Sequence, residues 1–274
     1  MIALMKEMFS YPFMVRALIV GILVSICASL LGVSLVLKRF SMIGDGLSHV
    51  GFGALSLAVA LNMAPLKVAI PIVIIAAFIL LRVTENSKIQ GDAAIALIST
   101  GALALGVMIV SLTTGMNMDV YNYMFGSILA MSKGDVIFSI IISIIIIFLY
   151  LYFYEKIFAV TFDENFAKAT GIRTDLYRML LAILTAIIIV LGMRMMGALL
   201  ISSLIVFPAV TAMRVCDTFK QVVICSVLIS MISFIIGISM SFLYATPTGA
   251  SIVIVDIIFF ILFQLYGLIR KGDV

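Results

Sequence analysis

Long apolar runs alternate with short polar connections from residue 14 to residue 269. A helix needs about 20 mostly apolar residues to cross the hydrocarbon core of a membrane, which is roughly 30 Å thick. On this basis the pattern predicts nine spanning helices, at residues 14–37, 43–61, 66–83, 92–113, 135–157, 176–193, 196–214, 220–244 and 250–269. No polar block is long enough for a soluble domain. We therefore predict an all-α, polytopic membrane protein with a single transmembrane domain over residues 1–274.

Composition and charge support this class. Hydrophobic residues make up 65% of the chain and charged residues 11%, against about 45–50% and 25% in soluble domains. The net charge of +4 is attributed to basic loops that face a cytoplasm, and no nucleic-acid partner is expected. With the amino terminus outside, twelve of the 17 Lys and Arg residues fall on inner connections. This bias predicts a multi-pass protein of the cell membrane whose carboxyl terminus is cytoplasmic.

The polar stretch 38–53 interrupts this pattern and contains Asp45 and His49, the latter being the one histidine of the chain. Residues four apart lie on the same face of a helix, one turn from each other. An ionisable side chain at the bilayer centre costs about 2.5–3.5 kcal/mol on insertion scales, so such a group is a functional candidate. The pair could bind a divalent metal, relay a proton, or join two helices by a hydrogen bond. A zinc site prefers four ligands, so two residues would not complete one.

Two further residues are weaker candidates for the same pathway. Asp256 lies inside the last predicted span with no basic residue close to it in sequence. Ser99 lies in a small-residue stretch of the fourth span, where close helix packing is the alternative explanation.

The longest inner connection, residues 158–175, predicts a short amphipathic helix. Thr161 is placed to cap its start and Gly171 to end it. Its acidic first turn and its apolar face consist of Asp163, Glu164, Phe162, Phe166 and Ala169. The segment is either a docking element for a cytoplasmic partner or plain surface packing. A second short helix, in the outer leaflet, is expected around residues 121–127.

Motifs for catalysis are missing from the sequence. No G-x-x-x-x-G-K-[ST] phosphate loop is present, so the chain itself is not expected to hydrolyse ATP. No G-x-S-x-G nucleophile elbow is present either, and an enzyme is not expected.

Several stretches together resemble the permease subunits of ATP-binding-cassette importers for zinc and manganese. They are residues 35–49, 123–129, 161–164, 197–209 and 246–251. The resemblance implies an architecture like that of the vitamin B12 importer, a homodimeric permease in membrane lipid, two cytoplasmic ATPase subunits and an external metal-binding protein. It also implies that Asp45 and His49 handle the metal and that the segment from Phe162 to Gly171 is the coupling helix.

The resemblance implies no permanently bound cofactor, and Zn²⁺ or Mn²⁺ as the transported substrate. The turn at Thr246 and Pro247 is closer to zinc members, although some of those carry a further histidine in the fourth span, where this chain has Ser99. The leading hypothesis is thus the membrane subunit of an ATP-driven importer, for zinc. The alternatives are a proton-coupled secondary metal transporter and a structural membrane scaffold.

Overall fold

The computed structural model describes residues 10–86, 91–113 and 132–272. This part of the chain is almost entirely helical, with short turns between the helices, and contains no strand. Its helices are α1 (Pro12–Leu37), α2 (Ile43–Ala60), α3 (Pro65–Asn86), α4 (Gly91–Leu112), α5 (Lys133–Tyr152), α6 (Tyr154–Phe162), α7 (Glu164–Ala169), α8 (Thr174–Met196), α9 (Ala198–Ala212), α10 (Phe219–Tyr244) and α11 (Thr248–Gly272). The predicted outer helix at 121–127 lies outside the described residues.

The predicted all-α, polytopic class is confirmed. Within the described ranges, eight helices are long and apolar enough to cross a membrane: α1, α2, α3, α4, α5, α8, α10 and α11. The fifth predicted span was too long, because the helix ends at Tyr152 and a new one begins at Tyr154. The remaining predicted span, 196–214, corresponds to α9, which has only 15 residues.

Helix α9 is too short to cross a membrane by itself. At about 1.5 Å per residue its 15 residues extend for about 22 Å, less than the roughly 30 Å of hydrocarbon. It begins late because Gly197, at φ 87°, breaks the helix directly after α8. Neighbouring protein covers it, since α9 packs against α1, α2, α8, α10 and α11. A short helix is tolerated at membrane depth when protein surrounds it in this way.

Two glycines allow α1 and α2 to approach the middle of α9. A Cβ added at Gly32 of α1 would lie 1.9 Å from the carbonyl oxygen of Ile205. A Cβ added at Gly44 of α2 would lie 3.3 Å from the Cδ1 atom of the same Ile205. Small residues at such crossings bring helix backbones close together, which is how membrane helices gain packing energy. The start of α2, which carries Asp45, is thereby held against α9.

Candidate metal site

Asp45 and His49 lie one turn apart near the start of α2. His49 Nε2 is 3.6 Å from Asp45 Oδ2, longer than a hydrogen bond. The two side chains remain accessible, 54% for Asp45 and 27% for His49. The pair is therefore not a buried mutual contact that joins two helices. Its carboxylate and imidazole are open to a third group.

Asp45 lines a cavity of about 560 Å³ formed by the start of α2 together with α9 and α11. Most of the wall is apolar, and the polar groups besides Asp45 come from three serines, Ser41, Ser202 and Ser203. His49 does not belong to the residues that line this cavity. An accessible carboxylate at the wall of an apolar cavity can hold a cation loosely, and loose binding is what permits its release.

Asp256 lies behind the same cavity wall, in the first half of α11. It is 1% exposed, and the hydroxyl of Ser203 donates a hydrogen bond of 3.0 Å to its Oδ2 atom. Its Oδ1 atom is buried and has no hydrogen-bond partner among the described residues. Ser203 thus contacts Asp256 on one side and the cavity on the other.

Ser99 is buried on α4 and does not line the cavity of Asp45. Ser99 nevertheless lies at about the same level as His49 along the packed pair α2 and α4, because one contact between these helices precedes both residues and another follows them. A Cβ at Gly46 would meet Ile95, and one at Gly53 would meet the carbonyl oxygen of Ala102. The two helices are parallel there, so residues 49 and 98–99 occupy equivalent levels.

The described residues contain no group of three or more His, Cys, Asp or Glu side chains that could hold a metal. The structure therefore brings together Asp45 and His49 and places Asp256 near the same cavity, but the part of the chain that it describes forms no closed site of three or more such ligands. A site with few protein ligands suits a transported ion better than a structural one, because structural zinc sites have four.

The connection 158–175 contains two helices instead of one. Thr161 does not cap the segment as predicted, because it lies inside α6 and its hydroxyl donates to the Ile157 carbonyl. The chain turns at Asp163, whose carboxylate accepts the backbone N–H of Phe166 at 2.9 Å and so caps α7. The predicted end at Gly171 is confirmed. Gly171 has φ 83°, and the bonds of its N–H and the next N–H form a Schellman motif.

The apolar residues predicted for this segment are divided between the two helices. Phe162 is the last residue of α6 and is 59% exposed, whereas Phe166 lies in α7 and is 64% exposed. Ala169 is also exposed, and Ala167 is the alanine that packs inward. Two large aromatic side chains, four residues apart in the chain, are therefore mostly exposed, although the ring of Phe162 also contacts those of Phe158 and Phe219.

Glu164 connects this segment to the transmembrane helices. Its carboxylate lies 3.1 Å from Lys168, 3.2 Å from Arg178 of α8 and 3.5 Å from Lys38 at the end of α1. Partial burial raises the pKa of Glu164, but the hydrogen bond from Lys168 and the charges of Lys38 and Arg178 outweigh it and lower the pKa overall. The link to the transmembrane helices was not predicted from sequence, since Lys38 and Arg178 belong to other elements of the chain.

A second ion pair lies at the opposite end of α8. Arg194 contacts both carboxylate oxygens of Asp135, at 3.1 and 3.2 Å, and Asp135 also forms a capping box with Ser132 at the start of α5. The pair lines another cavity of about 560 Å³, together with Lys67. Both ends of α8 are therefore joined by ion pairs to neighbouring elements.

These features define a multi-pass membrane protein with a largely apolar cavity, lined in part by Asp45, among its helices and an exposed aromatic segment at one end. The chain matches the ABC 3 transport family over residues 10–267 and belongs to it.

Known relatives agree with this assignment. The chain is 32% identical over 246 residues to the high-affinity zinc uptake system membrane protein ZnuB of Haemophilus influenzae, covering 90% of this chain and 94% of the relative. It is 28% identical to the manganese transport system membrane protein MntC of Halalkalibacterium halodurans, covering 91% and 85%. Among solved structures, PsaBC from Streptococcus pneumoniae in complex with Fab superposes with a TM-score of 0.87 at 28% identity, over 98% of this chain and 100% of that one.

The resemblance to permease subunits of zinc and manganese importers is thus confirmed, and the chain is a transport permease of the metal-importing ABC type. The comparisons give no support to the alternative of an ATP-independent, proton-coupled transporter.

Proposed function

We propose that this chain is the membrane subunit of an ATP-driven zinc importer, in which Asp45 and His49 contact the travelling ion. The observation that carries the proposal is the accessible carboxylate and imidazole at the start of α2, with Asp45 on the wall of a cavity of about 560 Å³. Carboxylate and imidazole are both zinc ligands. The zinc uptake protein ZnuB supports this choice of metal, whereas MntC keeps manganese as the competing cargo.

Metal uptake by cells that express single variants tests the role of the pair. Asp45→Asn and His49→Ala should each abolish zinc uptake while the protein still inserts in the membrane at wild-type level. Asp217→Asn, at an exposed turn before α10, removes the same charge away from the cavity and should leave uptake unchanged. Wild-type uptake by both α2 variants would refute the role of the pair. Uptake of manganese in place of zinc would refute only the choice of metal.

The partners form a further part of the proposal. Two copies of the chain would form the permease, two ATPase subunits would bind on the cytoplasmic side, and an external protein would deliver the ion. The amino terminus would then lie outside, and α7 on the cytoplasmic side. The exposed rings of Phe162 and Phe166, held in place by the ion pairs of Glu164, are suited to enter a groove on the ATPase.

Copurification of the ATPase subunit tests this docking role. Phe166→Ala should reduce the amount of bound ATPase at least tenfold without changing membrane insertion. Phe148→Ala provides a matched control, because this ring of α5 is also 64% exposed but projects from a membrane-crossing helix. Equal retention of the ATPase by both variants would show that the segment is ordinary surface.

A further inference from the structure

Asp256 is the most deeply buried acid that the structure describes within the membrane-crossing helices. Asp256 is 1% exposed, and it lies on α11, one of the helices long enough to cross a membrane. An isolated ionised carboxylate in such surroundings is expensive, and one hydrogen bond does not offset that cost. Only Oδ2 has a partner, the hydroxyl of Ser203, whereas Oδ1 has none among the described residues.

A second unsatisfied hydroxyl lies beside this carboxylate. Ser233 of α10 lies close enough to interact with the Asp256 carboxylate, yet its buried hydroxyl makes no hydrogen bond of ordinary geometry to any described residue. Ser203, Ser233 and Asp256 come from three different helices, α9, α10 and α11, that pack against one another. Three oxygen-bearing side chains therefore converge at one place in the bundle, and two of their oxygens, Asp256 Oδ1 and Ser233 Oγ, make no hydrogen bond of ordinary geometry with a described residue.

The cluster adjoins the cavity that Asp45 lines. Ser203 belongs to the cavity wall, and so does Val253, one turn before Asp256 on α11. An acid retained only for helix packing would be surrounded by donors, since buried polar groups are normally satisfied. Here only two hydroxyls are described beside the carboxylate, those of Ser203 and Ser233, and Ser203 joins the cluster to the wall of the cavity proposed as the route of the ion.

We propose that Asp256, with the hydroxyls of Ser203 and Ser233, forms a second contact for the divalent metal, reached from the cavity beside Asp45. The inference rests on the proposed function, because the cation is the transported one. All of its ligands are oxygens, whereas the α2 pair contributes one oxygen and one nitrogen donor. Carboxylate and other oxygen ligands suit Mn²⁺ well, so Mn²⁺ alone is a suitable probe.

A Mn²⁺ binding assay tests this site. The purified full-length chain is placed in lipid nanodiscs, and binding is measured as the loss of the free Mn²⁺ signal in electron paramagnetic resonance. The experiment starts from the double variant Asp45→Asn/His49→Ala, which lacks both proposed ligands of α2. This background should retain one weak Mn²⁺ site, and adding Asp256→Asn should abolish it. Asn keeps an acceptor for Ser203 while removing the charge.

A matched pair of serines on α10 separates metal contact from packing. Ser233 and Ser226 are both fully buried, and both hydroxyls lack a partner in the described structure. Ser233→Ala should weaken Mn²⁺ binding at least threefold, and Ser226→Ala should not change it. This comparison holds even if Asp256→Asn fails to fold.

Transport distinguishes failure of this site from failure of the proposed function. With otherwise intact protein, Asp256→Asn should slow metal uptake at least tenfold. If the wild type imports metal, and the Asp256→Asn variant binds Mn²⁺ and imports metal equally well, the second contact is refuted. If uptake falls but Mn²⁺ binding in the background variant persists, Asp256 is not a metal ligand. If the wild type imports no metal, the proposed function itself fails.

Discussion

The crossing of α1 and α9 leads to a prediction about stability. Gly32→Ala adds a Cβ atom 1.9 Å from the carbonyl oxygen of Ile205 and 2.8 Å from its carbonyl carbon. Both atoms belong to the backbone of α9, so no side-chain rotation relieves the overlap. The two helices must move apart by more than 1 Å, on the order of the shortfall from an ordinary contact.

The expected cost follows from known overpacking effects. Enlarging a residue in a packed core typically costs about 1–3 kcal/mol, and a backbone overlap this short belongs at the upper end. Replacing Gly by Ala inside a helix returns about 1 kcal/mol. The net loss is about 2 kcal/mol, which corresponds to a decrease in melting temperature of roughly 4–8 °C for a chain of this size.

A thiol-reactive fluorescent dye can follow unfolding in detergent. The chain has no tryptophan to report on unfolding, but Cys27 lies on α1 itself and is fully buried. In a background with the partly buried Cys216 and Cys225 replaced by serine, the remaining thiol becomes reactive only when the bundle opens. Gly101→Ala is the matched control, because a Cβ there meets no heavy atom within 4 Å. This control should melt at the wild-type temperature or slightly above it.

Two results would contradict this reasoning. Equal melting temperatures for Gly32→Ala and the wild type would mean that the helices do not approach as closely as the structure indicates. Rescue of Gly32→Ala by Ile205→Ala would assign the overlap to a side chain, whereas the structure assigns it to backbone atoms.

Two further predictions concern the ion pairs at the ends of α8. Glu164→Gln removes the charge shared by three cations and should cost about 1–2 kcal/mol at pH 7, given about 0.2–1 kcal/mol per partly exposed pair. Because the pKa of Glu164 is lowered by folding, its stabilisation exists above the unfolded pKa and disappears as the pH falls through the folded one. The difference in melting temperature between variant and wild type should therefore shrink below about pH 4.5, and a constant difference would contradict the assignment. Asp135→Asn removes the charge that pairs with Arg194 and leaves one acceptor oxygen in place of two, so it should lower the melting temperature by several degrees. Lys133→Gln, at an exposed position two residues earlier, should not, and equal losses would count against the ion pair.

Short-range patterns were the part of this protein that could be predicted from sequence. Hydropathy located eight helices of membrane-crossing length, because a span depends on composition within about 20 residues. Local spacing also placed Asp45 and His49 one turn apart and identified Gly171 as the glycine that terminates α7. It failed where two neighbouring residues competed for one role, as at Thr161 and Asp163. There the backbone turn at Asp163 decided which residue caps the helix.

Contacts between distant parts of the chain were decided by the tertiary structure alone. Ser203 and Asp256 are 53 residues apart, and Arg194 and Asp135 are 59 apart. No periodicity relates such residues, because their approach depends on how whole helices cross, and crossings depend on close contacts such as Gly32 with Ile205. The sequence by itself therefore determined the membrane class and the α2 pair, since both depend on residues within one helix. Only the packed bundle decided that a buried acid and two serines from three helices converge beside the cavity of Asp45.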